Sequence, residues 1–316
     1  MTARAVGLLL GHTADLLFGD PRKFHPVAGF GHLATATERW LYSDSRSRGI
    51  AYAAILIGGS TAAATFADRR TRRPFASVLL TATATWAALG GRSLDREARS
   101  VYGFLDTGDL DRARRRLTHL VGRETASLSA DEVARAVIES VAENTGDAVV
   151  ASHVWGALAG VPGLVAHRAA NTLDAMVGHH NARYERFGWA AARFDDLIGI
   201  PGSRLASILT VAAAPDRRGA LTAWRRDAPR HPSPNAGAVE ASFAGALGIR
   251  LGGLNTYYGN RTEHRAPMGD GRPPSAADIP PTVRVARNVG VVACLASVSV
   301  CLLRAPIAQR RRRRTP

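Results

Sequence analysis

Lysine is nearly absent from this 316-residue sequence: Lys23 is its only lysine, although the formal net charge is +15. Arginine therefore supplies almost all of the positive charge. The Walker A loop of many nucleotide-binding proteins ends in Gly-Lys-Ser or Gly-Lys-Thr, and neither tripeptide occurs here. Any nucleotide that the chain uses must be held by another arrangement.

Cysteine is scarce as well, with Cys294 and Cys301 as the two examples. They lie seven residues apart in an apolar run, so a helix would place them on one face, about 10 Å apart. That distance is too long for a disulfide bond. Their spacing does not fit a zinc motif either, and cysteine therefore contributes nothing to a functional prediction from the sequence.

Charge is missing altogether from residues 49–67 and 74–91. Each run approaches the ~20 residues that an α-helix needs to cross a bilayer. A short charged connector at 68–73 joins them, so together they predict a membrane hairpin. The alternative is that these helices are buried in a soluble bundle.

Another uncharged run, 288–303, is short for a membrane span. It has an arginine at each end, and arginine side chains can extend to the lipid headgroups, so we expect it to span as well. Residues 5–18 are a weaker candidate for a span. Residues 148–166 fit a re-entrant or core helix.

The distribution of arginine predicts the orientation in the membrane. The basic tail 304–316 and the arginine-rich stretch after residue 91 both favour the cytoplasmic side. We therefore expect residues 19–48 and 92–287 to share the cytoplasmic compartment. The connector 68–73 would then lie outside, although it contains four arginines. We expect the tail to bind anionic membrane lipid rather than nucleic acid.

The carboxylates Glu139, Glu143 and Asp147 are spaced four residues apart. On a helix they form one slowly drifting acidic stripe, and like charges at that spacing repel one another. A cation is therefore expected against them: a magnesium ion, an arginine from elsewhere in the chain, or a cationic group of a substrate. The alternative is an ordinary solvated helix face. Polar residues at helical spacing continue downstream in an apolar segment, at Arg168, Asn171, Asp174, Asn181 and Arg183.

The remaining segments predict helices and loops. Residues 92–138 have the apolar spacing of amphipathic helices, and Ser129 followed by Glu132 predicts a capping box. Pro201-Gly202 is expected to break the chain before another apolar helix at 203–214. Residues 227–281 are rich in proline, glycine and asparagine and predict long loops, with disorder as an alternative after residue 261. The predicted fold is all-α: a polytopic membrane helical bundle with cytoplasmic helices and long Pro/Gly-rich loops.

Four segments, in this order, resemble those of one known family, the CobD/CbiB adenosylcobinamide-phosphate synthases. The first is Gly19-Asp-Pro21 with His25-Pro-Val27, and the second runs from Glu139 to Thr145 with Asp147. The third runs from Arg168 to Asp174 and continues through Asn181 to Asp195-Asp-Leu197; the fourth runs from His231-Pro-Ser-Pro-Asn235 through Glu240 and Arg250-Leu-Gly-Gly253 to Tyr257. The sequence departs from the family pattern at Ala148, Ser152, Ala175 and His179, which affects fine substrate preference rather than membership.

The resemblance implies a multi-pass enzyme of the inner (cytoplasmic) membrane with its active face in the cytoplasm. Such an enzyme joins a propionate carboxylate of adenosylcobyric acid, a corrinoid, to the amine of aminopropanol phosphate or a related amino-alcohol phosphate, and it consumes ATP. Other enzymes of cobalamin biosynthesis are candidate partners. It also implies one membrane domain over residues 1–316, with the hairpin at 49–91, the motif-bearing region at 139–258, a membrane helix at 288–303 and the tail at 304–316.

Site residues follow from this resemblance together with the chemistry of amide formation. An amide from a carboxylate needs an activated acyl group, so phosphoryl oxygens must be stabilised by metal and arginine. The predicted catalytic residues are Glu139, Glu143, Asn144, Asp147, Asn171 and Asp174, and Glu143, Asp147 and Asp174 are the candidate magnesium ligands. The predicted substrate- and phosphate-binding residues are Arg168, Asn181, Arg183, His231, Ser233, Asn235, Arg250 and Tyr257.

Two alternatives remain open. A transporter, or a membrane signalling protein on the same scaffold without synthetase activity, would share the apolar helices. For His231, which precedes a proline, a role in fixing the loop by hydrogen bonds is the alternative to general-base chemistry.

Overall fold

The computed structural model describes residues 2–21, 25–179, 181–257 and 261–312. Twelve α-helices are found in these ranges, with a π-helical turn at Thr145–Val150, 3₁₀ turns at Ala228–Arg230 and Ala276–Asp278, and one two-stranded antiparallel sheet. The helices are α1 Ala3–Phe18, α2 Pro26–Leu41, α3 Arg46–Arg70, α4 Pro74–Leu89, α5 Gly91–Asp106, α6 Leu110–Leu117, α7 Ala130–Asn144, α8 Ala151–Val177, α9 Trp189–Ala213, α10 Arg217–Asp227, α11 Ala236–Leu247 and α12 Ile279–Arg312. The strands are β1 Leu251–Tyr257 and β2 Arg261–Met268.

Contacts divide the chain into two compact units. Unit 1 comprises Met1–Gly90, Ala151–Gly202 and Ala293–Pro316, and unit 2 comprises Gly91–Val150 and Ser203–Val292. The single membrane domain expected from the sequence stays a prediction.

Four helical segments within the described residues are long and apolar enough to cross a membrane: Arg46–Arg70, Ala130–Val177, Trp189–Ala213 and Ala276–Arg304. The first contains the predicted span 49–67 and the last contains 288–303. The other two fall in the region predicted to be cytoplasmic. The second hairpin helix, α4, has 16 residues and is shorter than these four.

The surface of these helices suits lipid. On α3, the large apolar side chains of Ile50, Ile55 and Phe66 are exposed, and on α4 those of Phe75 and Leu79 are exposed. A soluble protein rarely leaves so many large apolar groups in contact with water. The protein is therefore a helical membrane protein, as the uncharged runs predicted.

Glycines allow close helix packing in unit 1. A Cβ added at Gly7 or Gly11 of α1 would lie 2.5 Å from Thr81 or Thr85 of α4. An added Cβ at Gly49 of α3 would lie 1.9 Å from the backbone oxygen of Phe187. Small residues at helix contacts are typical of membrane helices, because association there depends on close packing.

Unit 2 packs α5, α6, α7 and α11 around one apolar core. Helix α7 begins with the predicted capping box, in which the Ser129 hydroxyl accepts from the Glu132 amide while the Glu132 carboxylate accepts from the Ser129 amide. Ala98 and Val101 of α5 are fully buried in this core, as the helical spacing predicted.

Two local predictions were wrong. Helix α9 continues through Pro201 instead of breaking there, which membrane helices tolerate because neighbouring groups satisfy the backbone atoms that proline frees. The region predicted as long loops contains β1 and β2, joined by antiparallel pairing. Arg135 of α7 donates to the carbonyls of Gly252 and Leu254 in β1, so α7 satisfies backbone groups that a loop would present to water.

Candidate functional site

A fully buried carboxyl group lies at the centre of unit 2. Glu240 is the only charged residue of α11, and its side chain is completely inaccessible to solvent. Its Oε1 lies 3.9 Å from Nε2 of His231 and 3.8 Å from a guanidinium nitrogen of Arg265. Among the described residues, neither oxygen of Glu240 has a hydrogen-bond partner. Burial raises the pKa of Glu240 well above its ordinary value, and the nearby carboxylates Glu139 and Glu143 raise it further.

Glu139 is held by an arginine and by the backbone of β1. A guanidinium nitrogen of Arg123 lies 3.0 Å from its Oε2, and the amide of Gly252 donates to its Oε1 at 3.0 Å. Arg123 also donates to the side-chain oxygen of Asn255. Both Arg123 and Glu139 are buried. Of the three cations that the acidic stripe left open, the one beside Glu139 is therefore an arginine of the same chain.

Glu143, Asn144 and Asp147 follow along the same helix and its π-helical turn, and each is half-buried. The Asn144 amide group donates to the carbonyl oxygen of Ser140 at 2.9 Å. The turn changes the helical register between Glu143 and Asp147, so the stripe is not that of a regular α-helix. It packs tightly, since a Cβ added at Gly146 would lie 2.8 Å from Val239 of α11. π-helical turns occur frequently at functional sites.

The segment before α11 fixes the helix that carries Glu240. The Ser233 amide donates to Nδ1 of His231 at 3.1 Å; while that bond is made, the proton of the neutral ring is on Nε2, which faces Glu240. The Ser233 hydroxyl accepts from the amides of Asn235 and Ala236. Burial, then the nearby Arg265, lower the pKa of His231, so its ring is neutral near pH 7.

A cleft of about 420 Å³ opens beside His231. Its lining also includes Arg204, Trp224 and Arg225, together with the prolines at 229, 232 and 234. Arg204 donates to the carbonyl oxygen of Pro234 at 2.9 Å. The cleft thus combines a buried imidazole with two guanidinium groups, which suits an anionic ligand.

Arg250 and Tyr257 lie at the two ends of β1. Arg250 is exposed beside a cleft of about 230 Å³, which it shares with Asp131, Glu132 and Arg135. The backbone of Tyr257 ends β1, and its side chain lies outside the described residues. Arg250 is not part of the buried group around Glu240.

Unit 1 contains the other predicted residues. On α8, Arg168 donates to the side-chain oxygen of Asn171 at 3.2 Å. Arg168 also lines an apolar cavity of about 500 Å³ between α2, α3, α4 and α8. Asp174 lies near the end of α8, where a Cβ added at Gly178 would fall 1.9 Å from its Oδ1.

The segment after α8 is held by Asn181 and Arg183. The Asn181 side-chain oxygen accepts from the amides of Arg183 and Tyr184 at 3.0 Å. The Arg183 guanidinium lies 2.9 Å from the Glu38 carboxylate and 4.1 Å from the ring centre of Tyr42. Arg183 is thus already engaged by a carboxylate within unit 1.

Comparison with known proteins gives a family. A sequence model described as CobD/Cbib protein matches residues 8–286. The cobalamin biosynthesis protein CobD of Mycobacterium tuberculosis is 47% identical over 307 residues, covering 96% of this chain and 97% of the relative. The protein of the same name from Geobacter metallireducens is 43% identical, over 82% of this chain and 85% of the relative. The one from Chromobacterium violaceum is 41% identical, over 92% of this chain and 94% of the relative. No solved structure matches.

This chain belongs to the CobD/CbiB family. The resemblance carried by the four segments is therefore confirmed. Its curated relatives are named for cobalamin biosynthesis. The roles of single residues in this CobD/CbiB chain stay predictions, and the structure adds where each one lies.

The predicted residues of this CobD/CbiB protein fall into separate groups. Unit 2 brings Glu139, Glu143 and His231 around Glu240. Unit 1 brings Arg168 to Asn171 and Asn181 to Arg183. In the part of the chain that the structure describes, possible metal-ligand atoms converge in one group, His12, His153 and Cys294, which includes none of the predicted magnesium ligands.

Sequence reasoning missed several residues of the buried group around Glu240. Arg123, Arg265 and Asn255 carry no periodic signal, because their partners are distant in sequence. Glu240 offered a signal that could have found it. It is a single charge in a helix otherwise made of small and apolar residues, and such a charge is rarely buried without a function or a partner.

Proposed function

We propose that this CobD/CbiB protein is an adenosylcobinamide-phosphate synthase. In the proposed reaction, a propionate carboxylate of adenosylcobyric acid attacks the γ-phosphorus of ATP and gives an acyl phosphate and ADP. The amine of aminopropanol phosphate, or of a related amino-alcohol phosphate, then attacks the acyl carbon. Inorganic phosphate leaves, the amide bond forms, and the amine gives up its protons to bases. Family membership over residues 8–286 supports the pathway.

The buried pair of Glu240 and His231 is the observation that carries the chemistry. An amine is protonated near pH 7 and must lose a proton before it can attack an acyl group. A carboxylate with a raised pKa is a better proton acceptor than an ordinary one. We assign His231, beside its cleft, as the group that relays this proton: Nδ1 takes it up in place of the bond from Ser233, while the Nε2 proton passes to the Glu240 carboxylate.

The cleft beside His231 would hold the amino-alcohol phosphate. Arg204 and Arg225 line it, and a guanidinium fork matches phosphate oxygens. An amine bound through its phosphate in this way would have its nitrogen close to the imidazole. Arg250, on the exposed cleft beside β1, remains a candidate for a second phosphate, either that of the amine or one of ATP.

Magnesium fits the residues of the acidic stripe. Glu143 and Asp147 offer half-buried carboxylate oxygens, which are the hard donors that magnesium prefers. Asp174 belongs to unit 1, and its role as a ligand stays a prediction from the sequence. When bound, the ion would neutralise phosphoryl charge during transfer. Glu139 is assigned a positioning role, since its oxygens bind Arg123 and Gly252.

The protein would act in the cell membrane with its active face in the cytoplasm, where ATP is available. Its proposed partners are the corrinoid, the amino-alcohol phosphate and membrane lipid. Other enzymes of the pathway are further candidates.

The direct test uses the purified full-length protein in lipid nanodiscs. It is incubated with adenosylcobyric acid, aminopropanol phosphate, ATP and magnesium, and the amide and ADP are measured by mass spectrometry. Amide formed in proportion to ADP supports the proposal. Intact protein that binds the corrinoid and makes no amide would overturn it and favour a transport or signalling role.

Substitution of His231 tests the site. His231→Gln should lower kcat by about 10²- to 10⁴-fold, the usual contribution of a general base. His264→Gln is the matched control, because His264 is exposed on β2 and should leave kcat unchanged. Equal activity of the His231 variant and the wild type would remove His231 from the reaction.

A further inference from the structure

Two histidines and a cysteine meet inside unit 1. His12 lies on α1, His153 on α8 and Cys294 on α12, and all three side chains are buried. One ligand atom from each, a ring nitrogen of either histidine and the sulfur, lies within 4.8 Å of the other two. Nδ1 of His12 and Nε2 of His153 are 3.0 Å apart. Three helices far apart in sequence therefore bring soft donor atoms to one point.

Hydrogen bonding accounts for only part of this arrangement. Two neutral imidazole rings carry two protons on four nitrogens, and one N–H···N bond uses only two of those nitrogens. Nε2 of His12 and Nδ1 of His153 have no partner within the described ranges. A buried polar group without a partner costs about 1–3 kcal/mol. The sulfur of Cys294 lies no closer than 4.0 Å to its acceptor, the Leu8 carbonyl oxygen.

The donor set selects a class of metal. Imidazole nitrogen and thiolate sulfur suit copper and zinc, whereas magnesium and calcium prefer oxygen. We propose that His12, His153 and Cys294 bind one d¹⁰ metal ion, Cu⁺ or Zn²⁺. The site is independent of the proposed amide synthesis and would tie α1, α8 and α12 together.

Charge balance favours Cu⁺ of the two. A thiolate and a monovalent cation are together neutral, so their burial among the apolar side chains around Cys294, such as Leu8, Ala157 and Leu164, costs least. With Zn²⁺, one further negative charge is needed to make the buried site neutral. The carboxylate nearest to His12 in sequence is that of Asp15, which is buried three residues further along α1.

The test uses the full-length protein in detergent, stripped with a chelator and kept reduced. Cu⁺ or Zn²⁺ is added in separate arms, unbound metal is removed, and metal per chain is measured by mass spectrometry. We expect one ion per chain, with one sulfur and two nitrogen ligands by X-ray absorption spectroscopy. The arm with the tighter binding, measured by competition with a chelator of known affinity, identifies the metal.

Cysteine variants give a matched control. Cys294→Ser should weaken binding by at least about 100-fold, since even outer partners of metal ligands contribute about 10- to 100-fold. Cys301→Ser should bind like the wild type. Cys301 is also buried on α12, but its sulfur lies near the Ala157 carbonyl oxygen, at 3.9 Å, and is not one of the three ligands.

Three outcomes would overturn the assignment: less than one tightly bound ion per wild-type chain in both arms, equal losses in the two cysteine variants, or a wild-type absorption spectrum without a sulfur ligand. The spectrum of the wild type decides the question even where the Cys294 variant fails to fold.

Discussion

Glu139→Gln separates a structural carboxylate from a catalytic one. In the folded protein, Glu139 faces the buried guanidinium of Arg123 at 3.0 Å and accepts the Gly252 amide at 3.0 Å. Glutamine can still accept the bond from Gly252, but it carries no charge. Arg123 is then left buried without its anion, although it keeps its hydrogen bond to Asn255.

The expected loss of stability is large. Breaking a buried ion pair by removing one partner costs about 3–5 kcal/mol. Because Arg123 and the Gly252 amide each keep a hydrogen bond in this variant, we expect the lower end of that range, about 3 kcal/mol. For a protein of this size, 1 kcal/mol corresponds to about 2–4 °C in Tm. Glu139→Gln should therefore lower Tm by about 6–12 °C.

Thermal unfolding in nanodiscs measures this shift, with Asp111→Asn as the control. Asp111 pairs with Arg114 at 3.3 Å, but its side chain is 77% exposed, so its loss should cost at most about 1 kcal/mol. Glu143→Gln should lose amide synthesis while keeping its Tm. If Glu139→Gln melts no lower than Asp111→Asn, the pair with Arg123 does not stabilise the fold and the reasoning fails.

Three further predictions concern proton binding, packing and topology. The pKa of Glu240 is raised above its ordinary value of 4.5, so its contribution to stability is fully present below that pH and is lost as the pH rises through the raised pKa. Glu240→Gln should therefore gain Tm relative to the wild type between about pH 5 and pH 8, and a constant difference would contradict the raised pKa. Gly49→Ala should lower the free energy of unfolding, measured by denaturation, by about 1–3 kcal/mol or more, because its Cβ would meet the Phe187 carbonyl. The control is Gly58→Ala on the same helix, where a Cβ meets nothing within 4 Å and stability should not change. In a background with both cysteines replaced by serine, an impermeant thiol reagent outside intact cells should label Arg72→Cys and spare Thr107→Cys, and the reverse pattern would reject the predicted orientation.

Much of the local structure could be predicted because it depends on neighbours in sequence. The absence of charge from 49–67 placed that run in a membrane-length helix, and the spacing of Ser129 and Glu132 gave the capping box. Sequence patterns also carried the family, since four ordered segments are specific even where each one alone is not.

Other features required the tertiary structure because their partners are far apart in sequence. A β-hairpin is present where a loop was predicted, because Glu139 and Arg135 of α7 bind the backbone of β1. Proline at 201 predicted a break, but the apolar surroundings of α9 keep it helical. Local propensity is a weak signal, and packing or an apolar environment overrides it.

The candidate sites divide in the same way. The sequence by itself determined which residue types were present for chemistry: an acidic stripe, and arginines in place of lysines. Only the tertiary structure decided that Arg123 neutralises Glu139 and that Glu240 faces His231. It also changed the interpretation of cysteine, because Cys294 is too far from Cys301 for a disulfide but lies beside two histidines from other helices. Such groupings depend on the distances between helices, which spacing along one helix does not contain.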